Sequence, residues 1–136
     1  MPVELITVDD AAAWASSSIN DSVTNAHGWT YFALHGTDCK LVYAARDGVV
    51  AGSGKRAETE RPSRAYQTEM RFRMRVKEEM TNSFGTVHGG CLATVIDTLS
   101  SFLMPLHSSG EMGQPWLTFG VSQTLTVNYL APTRVN

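Results

Sequence analysis

The sequence lacks the features that define several large protein classes. It has 2 cysteines in 136 residues, too few for a disulfide framework, which favours a reducing compartment. Its formal net charge of −2 excludes the overall basic character of a nucleic-acid-binding domain. No apolar run approaches the roughly 18 residues of a membrane span, and the acidic N-terminus does not resemble a targeting peptide. We therefore expect a cytoplasmic protein without nucleic-acid or membrane partners, with mitochondrial association as an alternative.

Signals for metal and phosphate binding are also missing. The 4 histidines show no short ligand spacing and the cysteines are not paired, which predicts no metal site. The segment Gly52–Lys55 lacks the spacing of a phosphate-binding loop. Basic side chains cluster between Lys55 and Lys77, where a solvated surface and a landing patch for a phosphorylated carrier both remain open.

The length predicts a single domain over residues 1–136. Residues 1–36 form an N-terminal extension in which Asp9 and Asp10 mark the first turn of a helix. Lys40–Ala45 predicts a short strand, and residues 47–63 have the glycine-rich, charged composition of an inserted loop.

The second half of the chain predicts a strand, a long helix and another strand. Tyr66–Lys77 alternates apolar and polar residues as a half-buried strand does. After the loop that ends at Gly90, apolar residues recur at helical spacing: Leu92, Val95, Ile96, Leu99, Leu103 and Leu106. Pro105 and the Ser108–Gly113 run are expected to end this helix, and Thr118–Leu130 is the last predicted strand. The pattern indicates an α+β fold in which a helix packs on an antiparallel sheet.

The predicted helix has a second face, made of small residues around a carboxylate. Asp97 lies about 140° from the centre of the leucine stripe and shares its side with Gly90, Ala93, Thr94 and Ser101. This face is either solvated or held against a partner subunit or substrate. Asp97 lies in mid-helix, where helix capping does not account for it.

The helix entrance carries the other candidate groups. His88 precedes Gly89, whose N–H at the positive end of the helix could bind a thioester carbonyl oxygen, although two glycines could also serve only a tight turn. Cys91, in the first turn, is either a packing residue or a nucleophile. Acyl transfer is therefore a hypothesis with structural alternatives.

Several motifs together resemble one known family. They are Val76–Asn82, Gly85-Thr86-Val87-His88-Gly89-Gly90, Ala93–Asp97 and Val127–Pro132. In order and spacing, residues 73–136 are similar to the hotdog-fold acyl-CoA thioesterases of the PaaI-like group (thioesterase superfamily member 2 type). The family pattern continues through about two further strands where this chain ends at Asn136, so we expect either that the sequence is truncated before these strands or that another element takes their place.

The resemblance implies a long central helix wrapped by a curved antiparallel sheet, in a homodimer or dimer of dimers with active sites at subunit interfaces. It implies Asp97 as general base or nucleophile and Gly89 N–H as the donor to the thioester carbonyl. His88 and Asn82 would position substrate and water, and Ser122 would assist the hydrolytic water. Substrate contacts are assigned to three further residues, Gly90, Thr94 and Ser101.

The implied reaction is hydrolysis of an acyl-CoA thioester to a free acid and CoA. It needs no cofactor, since coenzyme A is part of the substrate. Two alternatives remain open. One is a non-catalytic hotdog module that binds acyl groups or a protein partner, and the other is a hydrolase that depends on Cys91, a position where the family more often has an aliphatic residue.

Overall fold

The described part of the chain combines helices with a small antiparallel sheet. A computed structural model describes residues 7–24, 33–54, 67–107 and 122–135. Its elements in chain order are α1 (Val8–Thr24), β1 (Lys40–Arg46), β2 (Val49–Val50), β3 (Thr68–Arg73), a 3₁₀ turn (Glu78–Met80), α2 (Gly89–Ser101) and α3 (Leu103–His107). This composition confirms the predicted α+β class.

Helix α1 confirms the predicted N-terminal helix and begins with a reciprocal cap. The Thr7 Oγ1 accepts a hydrogen bond from Asp10 N–H at 3.0 Å, and Thr7 N–H donates to Asp10 Oδ2 at 3.0 Å. Hydrogen bonds from the Thr7 side chain and backbone lower the pKa of Asp10. The two residues thus satisfy N–H groups that a helix start leaves open, as a capping box does.

The sheet is antiparallel with the order β2-β1-β3. Leu41 lies opposite Phe72 and Ala44 opposite Met70, with a register shift between Leu41 and Tyr43. A two-residue turn at Asp47 and Gly48, both with positive φ, connects β1 to β2. Such a turn matches the twist of a hairpin. Hence the first residues of the predicted 47–63 loop belong to the sheet, and residues 55–63 lie outside the described part.

Strand β3 confirms the period-two pattern over a shorter range than Tyr66–Lys77. The side chains of Thr68, Met70 and Phe72 are half-buried, whereas the intervening side chains are exposed. The strand ends at Arg73, and Arg75 N–H then donates to the Thr37 carbonyl oxygen at 2.6 Å. This loop contact removes the backbone of residue 75 from the ladder.

The main core lies between α1, α2 and the sheet. Phe102 is fully buried, with its ring centroid 5.8 Å from that of Trp14 in α1 and 6.2 Å from that of Phe72 in β3. The core residues are Ala15, Ile19, Ala33, Leu34, Cys39, Met80, Val95, Leu99 and Phe102. The apolar stripe of α2 is thereby used to attach the helix to the domain.

The prediction that Pro105 helps to end the long helix is wrong, and the Ser108–Gly113 run predicted to end it with Pro105 lies outside the described part. Helix α2 ends at Ser101, and Pro105 lies in the first turn of α3, where a proline removes no intrahelical hydrogen bond. Arg46, which is buried at the end of β1, donates from Nε to the Leu106 carbonyl oxygen at 2.8 Å. A cation against the last carbonyls of a helix is favourable, so this contact joins α3 to the sheet.

The predicted strand Thr118–Leu130 is not part of the sheet where it is described. Residues 122–130 have no regular secondary structure, no strand pairs with them among the described residues, and Leu130 is 94% exposed. Two backbone contacts just after this segment attach it to the loop before α2. Val87 N–H donates to the Thr133 carbonyl oxygen at 2.8 Å, and Thr86 pairs with Arg134 in an isolated antiparallel bridge. Residues 118–121 lie outside the described part.

A second expectation that needs correction concerns the length of apolar stretches, and the stretch in question is Gly89–Leu106. Its 18 residues have a mean hydropathy of 1.3, so by length and composition this stretch could cross a membrane. This finding contradicts the expectation that no apolar run approaches the length of a membrane span. The mean tolerates polar residues such as Asp97 that interrupt the run. The same composition is found in the core helices of soluble proteins, and Val95, Leu99 and Phe102 are buried in the core here.

Candidate active site

His88 caps helix α2. Its backbone is extended, with φ −62° and ψ 131°, and its Nδ1 accepts a hydrogen bond from Gly90 N–H at 3.0 Å. Because Nδ1 is the acceptor, the neutral ring carries its proton on Nε2. The sequence places His88 before the helix, and the structure adds that its ring is bonded to the helix itself.

The two glycines provide space for neighbouring rings. Neither has a positive φ, so the backbone conformation itself does not require glycine. A Cβ on Gly90 would lie 3.3 Å from His88 Nδ1, and a Cβ on Gly89 would lie 3.4 Å from Tyr129 Cζ. The tight loop-to-helix turn therefore needs no left-handed backbone at Gly89 or Gly90, and the nearby rings are a further reason for small residues here.

The helix entrance leaves donors available for a ligand. Gly90 N–H is used by His88, but within the described ranges no partner is found for Gly89 N–H. The first N–H groups of a helix have no intrahelical acceptor and lie at its positive end. Gly89 N–H can therefore donate to an oxygen that carries partial negative charge.

Asn82 shapes the loop that leads to the helix. Its Oδ1 accepts from Phe84 N–H at 2.9 Å and from Thr86 N–H at 3.3 Å, while its Nδ2 donates to Thr86 Oγ1 at 3.0 Å. Gly85 in this turn has φ +71°, a value that favours glycine. The amide is thus engaged within residues 82–86, and its contact with substrate or water stays a prediction.

Asp97 and Ser122 are brought together although 25 residues separate them in the chain. The Ser122 hydroxyl donates a hydrogen bond to Asp97 Oδ1. Asp97 is half-buried on α2, whereas Ser122 is exposed. The contact places a hydroxyl donor directly on the candidate catalytic carboxylate, an arrangement that holds one carboxylate oxygen in a defined direction.

The other hydroxyls on this face bond to the helix backbone. Ser101 Oγ and Ser100 Oγ donate to the Asp97 carbonyl oxygen at 3.0 Å and 3.1 Å. Thr94 Oγ1 donates to the Gly90 carbonyl oxygen at 2.9 Å. Ser101 is thus bonded to the backbone of Asp97, and the substrate contacts assigned to Thr94 and Ser101 stay predictions.

The two halves of the candidate site lie apart within one chain. Asp97 follows Gly89 by eight residues on the same helix, which corresponds to about 12 Å along the axis at a rise of roughly 1.5 Å per residue. One thioester carbonyl cannot contact both Gly89 N–H and Asp97 of a single chain at hydrogen-bond distance.

A mostly apolar cavity of about 320 Å³ opens beside the helix entrance. It lies on the side of α2 that carries Gly90 and Thr94, which is also the side of Asp97. Its lining consists of Ala33, Glu79, Met80, Thr81, His88, Gly90, Cys91 and Thr94. We call it the His88 cavity, and its size is that of small-ligand pockets.

Cys91 lines this cavity as a poor nucleophile. Burial raises the pKa of its thiol, an effect that the charge of Lys77 only partly offsets. The thiolate is the reactive form, so the thiol is largely protonated and unreactive at neutral pH. In the described ranges, no group of three His, Cys, Asp or Glu residues converges as metal ligands would.

A second cavity of about 320 Å³ lies on the other side of the helix entrance. Gly89, Leu92 and Tyr129 are among its lining residues, and we call it the Tyr129 cavity. The Tyr129 hydroxyl donates to the Gly89 carbonyl oxygen at 2.7 Å. Sequence reasoning missed this contact. Its only signal was that Tyr129 belongs to one of the motifs that carry the family resemblance.

Comparison with known proteins points to acyl-coenzyme A thioesterases. The chain is similar to acyl-coenzyme A thioesterase 13 of Homo sapiens and of Pongo abelii, each 37% identical over 62 residues, and to that of Mus musculus at 36%. The match covers 46% of this chain and 39% of each relative. No family model matches, and no solved structure matches. The similarity supports the predicted class of a thioester hydrolase.

Proposed function

We propose that this chain carries half of the active site of an acyl-CoA thioesterase with the hotdog fold. The observation that carries the proposal is the hydrogen bond from Ser122 to Asp97 on the same helix whose N-terminus presents the Gly89 N–H. A carboxylate can act as the general base in thioester hydrolysis, and a helix N–H that has no acceptor among the described residues can stabilise the developing oxyanion. The similarity to acyl-coenzyme A thioesterase 13 supports the same activity.

The reaction follows from these groups. The thioester carbonyl oxygen accepts from Gly89 N–H, which stabilises the negative charge that develops when the carbonyl carbon is attacked. The Asp97 carboxylate takes a proton from the attacking water. Alternatively, the carboxylate is the nucleophile that attacks the carbonyl carbon, which forms a mixed anhydride that water then hydrolyses. The bond between carbonyl carbon and sulfur breaks, and CoA leaves and takes up a proton. Ser122 orients the carboxylate, and His88 and Asn82 position substrate and water.

Two copies of the chain complete the site. Since Gly89 and Asp97 of one chain are about 12 Å apart along α2, we assign the Gly89 half to one subunit and the Asp97 half to its partner. The small-residue face of α2 supports this, because Ala93, Thr94 and Asp97 remain only half-buried and allow another backbone to approach. A homodimer or dimer of dimers supplies the second half.

The substrate is an acyl-CoA, and the protein itself needs neither metal nor cofactor. The mostly apolar His88 cavity offers space for an acyl group next to the helix entrance. We place the protein in the cytoplasm with no membrane or nucleic-acid partner, which the net charge of −2 supports for nucleic acids.

The test is acyl-CoA hydrolysis over a panel of acyl lengths by the full-length protein and four variants, at Asp97, Asp38, His88 and Cys91. Asp97→Asn should lower kcat by roughly 10²- to 10⁴-fold, the usual contribution of a general base. Asp38→Asn, an exposed carboxylate paired with Arg75, is the matched control and should leave kcat unchanged. His88→Ala should cost less than Asp97→Asn.

Each rival function gives a different result in this panel. Acyl-CoA that binds without turnover would indicate a non-catalytic module that binds acyl groups or a protein partner. Loss of activity in Cys91→Ala with full activity in Asp97→Asn would indicate a cysteine-dependent hydrolase. Either outcome would overturn the assignment of Asp97.

A further inference from the structure

Two hydrogen bonds meet on a single peptide group at the start of α2. The carbonyl of Gly89 accepts from the Tyr129 hydroxyl at 2.7 Å, and the N–H of Gly90 donates to His88 Nδ1 at 3.0 Å. These two groups belong to the peptide that joins Gly89 to Gly90. The peptide is trans, so its C=O and N–H point in opposite directions. Tyr129 and His88 are therefore linked through one rigid unit.

The hydrogen bond from Tyr129 affects the strength of the hydrogen bond to His88. A donor on a peptide oxygen polarises the amide and strengthens its N–H as a donor, because hydrogen bonds in a chain reinforce one another. The Tyr129 hydroxyl therefore strengthens the bond from Gly90 N–H to His88. That bond needs an unprotonated Nδ1, so it selects the ring form that carries its proton on Nε2.

Both rings lie close to the two glycines of this peptide. The Tyr129 ring lies over Gly89, where a Cβ would meet Cζ, Oη and Cε1 at 3.4 to 3.7 Å. The His88 ring lies over Gly90, where a Cβ would meet Nδ1 and Cε1 at 3.3 and 3.4 Å. His88 lines one cavity and Tyr129 lines the other. The peptide thus connects the two cavities on either side of the helix entrance.

We propose that Tyr129 is a positioning residue that acts through the Gly89–Gly90 peptide to hold His88 as the Nε2–H form at the wall of the His88 cavity. Its relevance to thioester hydrolysis rests on the proposed function. The hydrogen-bond relay itself does not. The competing explanation is that Tyr129 only anchors the segment 122–130 to the helix.

The test removes one oxygen atom. Tyr129→Phe keeps the ring on Gly89 but deletes the donor, and the side chain is 53% exposed, so folding is retained. Tyr43→Phe is the matched control, since Tyr43 lies on β1 under the Arg71 guanidinium, 4.6 Å from the ring centroid. The readouts are ¹⁵N shifts of the His88 ring at alkaline pH and hydrogen exchange of the Gly90 amide, both in the full-length protein.

The proposal predicts changes at His88 and Gly90 in Tyr129→Phe alone. Exchange at Gly90 should rise by less than about twofold, because loss of a reinforcing bond weakens its neighbour by roughly 10–30%, and the ring should gain a population with its proton on Nδ1. Faster exchange in segment 122–130 with an unchanged His88 ring would overturn it in favour of simple anchoring. An unchanged ring and unchanged Gly90 exchange would overturn it outright. Neither readout requires turnover, so an inactive protein would contradict the proposed function alone.

Discussion

The hydrogen bond between Ser122 and Asp97 predicts a specific failure of additivity in catalysis. A hydrogen bond to a charged group contributes about 1.5–3 kcal/mol. Ser122 is exposed, which favours the lower end of that range. At about 1.36 kcal/mol per tenfold in rate, Ser122→Ala should lower kcat by about tenfold, whereas Asp97→Asn should lower it by roughly 10²- to 10⁴-fold.

The double variant distinguishes a coupled pair from two independent residues. If Ser122 acts by orienting the Asp97 carboxylate, its removal costs little once that carboxylate has become an amide. Ser122→Ala in the Asp97→Asn background should therefore lower kcat by less than about threefold, because residues that act as a unit are not additive. Hydrolysis is followed by loss of thioester absorbance, which avoids reagents that react with Cys91.

A matched serine provides the control. Ser100 donates to the backbone carbonyl of Asp97 at 3.1 Å and not to its carboxylate. Ser100→Ala should leave kcat within about twofold of the wild type, the effect expected of an exposed substitution away from the reacting atoms. If the single effects of Asp97→Asn and Ser122→Ala multiply in the double variant, Ser122 does not act through Asp97 and the reasoning fails.

Two further predictions concern the core and the thiol. Phe102→Ala should lower the free energy of unfolding by about 3–5 kcal/mol because Phe102 is 0% exposed. The control is Phe84→Ala, at a side chain that is 87% exposed, which should change the free energy of unfolding by less than about 0.5 kcal/mol. Equal losses of the two variants in denaturant titrations would contradict the described core. Alkylation of Cys91 should be slow at neutral pH and accelerate as the pH rises toward the thiol pKa, because burial raises that pKa and only the thiolate reacts. Peptide mapping separates the alkylation of Cys91 from that of Cys39, whose pKa burial also raises. Alkylation of Cys91 at neutral pH that is fast relative to the unfolded chain would contradict this prediction.

The sequence also predicted several elements that the structure bears out. Helix α1, strand β1, the alternation in β3 and the start of α2 after His88 were predicted correctly, because side-chain periodicity and helix-start signals act over a few neighbouring residues. The sequence did not predict the ends of these elements. Strand β3 ends early, at Arg73, because loop contacts follow it. Pro105 lies within α3 and does not end the helical region, because α3 docks against Arg46.

The sequence by itself determined the α+β class, the apolar stripe of α2 and the groups offered for chemistry: a histidine, two glycines and a carboxylate on one helix. Only the tertiary structure decided which groups meet. It joined Ser122 to Asp97 and Tyr129 to Gly89, and it left residues 122–130 unpaired among the described residues. The physical reason is that these contacts join residues 25 and 40 positions apart, and no local propensity encodes the direction in which a distant segment crosses a helix.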